Sequence, residues 1–147
     1  MRFVITLLLA ASLLVFSLAT PAQESDKPFA EAHVVLQLAD GDDKSQARTL
    51  SVANNLIKHY GGPDFIDIEI VAYGPGISLL YPDNANRERI ESLMANGVRF
   101  VGCGNTLDTI ERATGKRPEL IGDVILVRAG VARLIERAQQ DFVVIRP

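Results

Sequence analysis

One cysteine in 147 residues excludes an internal disulfide framework and a zinc centre built from several cysteines. Tryptophan is absent and only 6 % of the chain is aromatic, too little for a groove that stacks sugars or single-stranded bases. Positive charge is not in excess either. Lys and Arg number 15 against 18 Asp and Glu, and the resulting −3 gives no basic field for gripping a phosphate backbone, so no nucleic-acid partner is expected. The two histidines, His33 and His59, have no metal-ligand spacing, and no metal or other cofactor is expected. What is present suits one folded domain: 48 % of the residues are apolar and 22 % charged, enough for a buried core over this length.

The long uncharged run stands at the start. Phe3 to Leu18 follows Met1-Arg2, and Thr20-Pro21-Ala22 places small residues around a helix breaker. That is the layout of a secretory signal peptide, with cleavage expected after Ala22 or, as second choice, after Ala19. The alternative is a retained anchor, since about 18 apolar residues nearly span a bilayer. No cysteine follows the run for lipid attachment, and no Arg-Arg pair marks a twin-arginine route. The expected division is residues 1–22 as signal peptide, 23–32 as a polar lead-in and 33–147 as a single domain. The location expected is the periplasm, with no membrane attachment after cleavage. Loss of Arg2 takes the charge of the mature chain to −4.

Beyond the lead-in, short apolar runs alternate with amphipathic stretches. His33–Leu38, Ile66–Ala72, Val98–Val101, Val124–Val127 and Phe142–Ile145 read as strands. Helical spacing appears over Lys44–Tyr60, Asn86–Asn96, Leu107–Ala113 and Val131–Gln139, with Gly61-Gly62-Pro63 and Gly97 as stops. Strands separated by helices require crossover connections. The expected fold is therefore α/β, a mostly parallel sheet covered on both faces.

In such sheets the working groups gather beyond the carboxyl ends of the strands. Four loops qualify: Asp40–Asp43, Gly74–Gly76, Gly102–Thr106 and Arg128–Gly130. Asp40, Asp42 and Asp43 suggest either a cation site or a solvated turn whose aspartate caps the next helix. The first would also need a carboxylate ending the third strand and a lysine ending the last, where Cys103 and Arg146 stand. Gly74-Pro75-Gly76 follows a strand but lacks the third glycine and the adjoining helix of a dinucleotide fingerprint.

Cys103 is the candidate of most interest. Gly102 and Gly104 flank it at a strand end, and Asn105 and Thr106 are good cap residues for the helix that follows, whose open amides favour a thiolate. Asp108 opposes that charge, and Arg128 restores it if the third and fourth strands are neighbours. A leftover cysteine in an exported chain reads as a reactive thiol or an intermolecular disulfide; the bland alternative is a small core hydrophobe.

The run Val71-Ala-Tyr-Gly-Pro-Gly-Ile-Ser-Leu-Leu80, followed by Gly97-Val-Arg-Phe-Val-Gly-Cys-Gly-Asn-Thr106, resembles the DsrE/DsrF-like family of sulfur-relay proteins. The likeness continues through Gly130-Val131 to the last strand and covers His33 to Pro147. It implies a three-layer α/β/α sandwich, flavodoxin-like in outline, with five strands ordered 4-3-2-1-5. It also implies a homo-oligomer, a trimer or a hexamer, and a cysteine, here Cys103, that carries sulfur as a persulfide between donor and acceptor proteins. Two functions are expected on these grounds. One is a periplasmic sulfur carrier or thiol relay, with Cys103 supported by Gly102, Gly104, Asn105, Thr106 and Arg128. The other is a non-catalytic oligomeric module that binds a small ligand or a partner at the crevice of Asp40, Gly74, Pro75 and Gly76, with Cys103 structural.

Overall fold

The computed structural model describes residues 27–147; the expected signal peptide and the start of the lead-in lie outside the described residues. Five strands, Ala32–Leu38 (β1), Ile66–Ala72 (β2), Arg99–Cys103 (β3), Ile125–Val127 (β4) and Val143–Ile145 (β5), form one sheet in the order β4-β3-β2-β1-β5. Every pairing in it is parallel. The helices between them are Asp43–His59 (α1), Arg87–Ala95 (α2), Gly104–Thr114 (α3) and Gly130–Gln139 (α4).

This order dictates the layers. Three successive steps carry the chain from β1 to β4 in one direction, so right-handed crossovers put α1, α2 and α3 on the same face. The return from β4 at one edge to β5 at the other puts α4 on the opposite face. The core divides accordingly. Leu50, Ala53, Ile90, Leu93 and Leu107 from the first three helices pack with Ile66, Ile68, Ile70 and Ala72 of β2. Across the sheet, Leu134 of α4 packs with Val35, Val71, Val101 and Phe142. The architecture is a three-layer α/β/α sandwich.

All seven residues of β2 are buried, which its central position demands. Two of them are charged. Asp67 and Glu69 alternate with the isoleucines, face α4, and have 0 % exposure. Arg133 Nε lies 2.7 Å from Glu69 Oε1, Arg137 Nη2 lies 2.8 Å from Oε2, and Arg99 Nη1 lies 2.6 Å from Asp67 Oδ1. Burial pushes the Glu69 carboxyl up, but its bonds to Arg133 and Arg137 outweigh that and hold it below the usual carboxylate range. The guanidinium of Arg137 also stacks over the Phe142 ring at 5.0 Å.

Element ends follow local chemistry. Asp42 caps α1 by accepting from the Ser45 amide at 3.0 Å, the capping role being one of the two readings of the acidic turn. Gly115 closes α3 in the left-handed conformation. Lys27 Nζ donates to the Pro63 and Ile66 carbonyls at 2.8 and 3.1 Å, and the Glu31 amide donates to the Phe65 carbonyl, so the end of the lead-in is already part of the packed unit. From Gly74 itself the chain runs as a 3-10 helix, Gly74–Leu80, which drives Ile77, Leu79 and Leu80 into the core.

Replacing Glu69 by Gln leaves three arginines, Arg99, Arg133 and Arg137, against a neutral partner. Breaking such a pair costs about 3–5 kcal/mol, so the urea midpoint of Glu69→Gln should fall sharply with an unchanged slope. A midpoint equal to wild type would mean that the arginines do not depend on the carboxylate.

Candidate functional site

β3 hands the chain to α3 on one face, and its neighbour β4 hands it to α4 on the other. Connections that part in this way leave a crevice at the carboxyl ends of the two strands. Cys103 ends β3 there, in register with Val127, the last residue of β4. Strand alternation aims Cys103 at the same face as Val101, toward α4. The residue is 6 % exposed.

The first turns of two helices meet at this thiol. Gly130 opens α4 so close to Cys103 that an added Cβ would lie 3.3 Å from Cys103 Cβ and 3.2 Å from Tyr73 Cβ. Burial pushes the thiol up. The Thr106 hydroxyl and the backbone amides of Gly130, Thr106 and Asn105 outweigh burial and hold the thiol below its ordinary range. Thr106 is fixed for this task, since its hydroxyl also accepts from the Gly74 amide at 2.9 Å. The glycine turn is fixed in its own way. The Gly76 amide donates to the Ala39 and Tyr73 carbonyls, and a Cβ on Gly76 would stand 2.4 Å from the Leu38 carbonyl oxygen. Only glycine permits that approach of the β1 and β2 ends.

Several expected roles change. Asn105 and Thr106 are not caps; Cys103 itself takes the cap position of α3, and the two residues contribute amides from inside the first turn. Asp108 lies beyond that turn and is bound by two arginines, Arg117 at 2.6 Å and Arg128 at 2.8 Å. Arg128 stands at the expected edge, but its guanidinium is on Asp108 and 80 % exposed, not on the sulfur. Its carbonyl is the part that reaches the site, accepting from the Asn105 amide at 3.0 Å. Gly102 faces the other core, where Leu120, Ile77 and Leu80 close over it, and Gly104 lets the first turn of α3 approach the Val127 carbonyl. Asp40 is bonded to Arg146 at the β5 end, 2.8 Å away.

No family model and no curated protein matches the chain. Among solved structures, it is 30 % identical to a protein of unknown function, MTH1491 from Methanobacterium thermoautotrophicum. The match spans 80 % of this chain and 100 % of that one, with a TM-score of 0.70. The chain belongs to the family of that protein. Membership extends the α/β sandwich to the family.

Gly130 belongs to the loop Arg128–Gly130 that the sequence places at this edge, but no side chain marks it as part of the site. The signal available was a glycine immediately before a helical period, just past the strand that neighbours Cys103. Also missed was a cleft of about 550 Å3 on the far side of Thr106, to which Ile77, Tyr81, Thr109 and Ile110 contribute. Its walls come from separate segments, so no local pattern marks it.

Two outcomes follow for the thiol. The rate of iodoacetamide alkylation against pH should move to higher pH in Thr106→Val and Gly130→Ala, and stay in place in Arg128→Met. Thr106→Val should also cost about 1–3 kcal/mol in stability, because the Gly74 amide loses its acceptor. A shifted curve for Arg128→Met, or unmoved curves for the other two, would contradict the arrangement. Stability should follow the same linkage. A thiol whose folded pKa lies below its unfolded value of about 8.5 contributes fully above that value, and the contribution is lost as pH falls through the folded pKa. Under reducing conditions, the stability of wild type relative to Cys103→Ser should therefore rise with pH up to about 8.5; a flat difference in denaturation experiments would refute it.

Proposed function

We propose that the protein is an exported sulfur carrier in which Cys103 holds sulfur as a persulfide and passes it to an acceptor thiol. The observation that supports this reading is the balance at Cys103: a nearly buried thiol favoured as thiolate by the Thr106 hydroxyl and three amides from the starts of α3 and α4. The thiolate attacks the outer sulfur of a donor persulfide. One S–S bond forms as the donor's breaks, and the electron pair leaves on the donor thiolate while the proton stays on the transferred sulfur. In the second step an acceptor thiolate attacks that sulfur and Cys103 departs as thiolate. A low pKa speeds departure, so the same donors assist both halves. Sulfur donor and acceptor proteins are the partners of this reading, the periplasm its location, and a trimer or hexamer its assembly. Val131 and Ile135, 51 % and 56 % exposed one turn apart on α4, support self-association.

One observation favours the second reading, a binding module with a structural cysteine. It is the 6 % exposure of Cys103, which requires an approaching sulfur to find the crevice open. Incubation of the reduced protein with polysulfide, followed by intact-mass measurement, separates the two. The carrier should gain the mass of one or more sulfur atoms, lose it to dithiothreitol, and show none of this in Cys103→Ser. A native protein that takes no sulfur, and whose thiol is labelled only after unfolding, would be the binding module.

A further inference from the structure

We propose that the cleft between the 3-10 helix and α3 is a binding site for a small, uncharged organic molecule with an apolar body and one amide or hydroxyl group. Its volume of about 550 Å3 is of the size that encloses such ligands. Pro75, Ile77, Ile110 and the Tyr81 ring supply apolar wall, and no carboxylate, amine, guanidinium or imidazole of the described residues lines it. A charged ligand would give up hydration there with no counter-ion to replace it. Charges of opposite sign act on its lining residues. Arg112 donates to Thr109 at 3.0 Å, and Asp83 acts on Tyr81.

The polar groups narrow the ligand further. The Thr106 hydroxyl is committed to the Gly74 amide and to Cys103. The Thr109 hydroxyl donates to the Asn105 carbonyl at 2.9 Å and accepts from Arg112. The Asn105 carboxamide and the Tyr81 hydroxyl remain, and neither has a hydrogen-bond partner among the described residues. Each can both donate and accept. Burial, with Asp83 beside it, pushes the Tyr81 phenol up, so it faces the cleft as a neutral group. An open, mostly apolar cleft with one carboxamide and one phenol matches a neutral molecule bearing an amide or hydroxyl. The site does not depend on the sulfur reading of Cys103, whose side chain lies on the other side of Thr106.

Benzamide, benzoate and benzylammonium form a probe series of one shape and three charges. Titrated into the purified, reduced protein, benzamide should shift the backbone amide resonances of Ile77, Thr106 and Ile110 saturably. The two ions should bind at least about tenfold more weakly, which corresponds to about 1.4 kcal/mol. Asn105→Ala and Ile110→Ala should each weaken benzamide several-fold, and Cys103→Ser should leave it unchanged. The proposal is overturned by the absence of a saturable shift, by equal binding of all three compounds, or by binding indifferent to Asn105→Ala and Ile110→Ala. A protein that binds benzamide but takes no sulfur loses only the carrier reading. One that takes sulfur but not benzamide loses only the cleft.

Discussion

Glu69 is a carboxylate with no exposed surface, gripped by Arg133 and Arg137, which lie four residues apart on one side of α4. Burying these ions is costly, and the attraction repays it only where the geometry is fixed and the remaining bonds are made. The grip therefore sets the rotation of α4 about its axis. Gly130, Leu134 and Arg137 are the buried residues of that helix, one stripe running from its start to its last turn. Seating Arg137 on Glu69 brings Gly130 against Cys103 at the other end of the stripe. A charge pair at the middle of the sheet thus positions an amide at its edge.

The strand order makes that contact possible. Had α4 followed β4 on the face of α1, α2 and α3, no second helix would start beside the carboxyl end of β3. The reversal from β4 back to β5 sends α4 across the opposite face, and the first turns of α3 and α4 converge on the crevice between their strands. Among the described residues one helix has to cover that face alone. It succeeds over β1, β2 and β3, while Val131 and Ile135 on its outer side stay exposed.

Periodicity made most of this legible. The bounds of β2 read from alternation are those observed, because a strand buried on both sides is apolar wherever it is not paired by charge. The same reading could not foresee that Asp67 and Glu69 are buried, since arginine partners such as Arg99 and Arg137 stand 32 and 68 positions away in the chain. α3 was expected from Leu107 because its apolar spacing begins there, yet the helix starts at Gly104, where amides rather than side chains do the packing. The 3-10 helix after Tyr73 has no 3.6-residue period to betray it. Cys103 was found by chemistry and by its place at a strand end. Its surroundings were found only in part, because three of the four donors are backbone groups, which a list of side chains does not contain.

The means by which the thiol is favoured also differs from the expected one, and the difference has consequences. A cation beside the sulfur would be screened by salt and would compete with other anions for the same charge. Neutral donors in a nearly buried site are insulated from both, and they are already aligned by the backbone of two helices. The arginines still matter, one step removed. Asp108 sits on the helix whose amides support the thiolate, and unpaired it would cancel part of that support. Arg117 and Arg128 occupy both of its oxygens, at 2.6 and 2.8 Å, and hold its carboxyl below the usual range as a closed pair of charges. Arg117 alone, at 2.6 Å, keeps that charge paired when Arg128 is replaced, so hydrogen bonding from Thr106, Asn105 and Gly130 decides the state of Cys103.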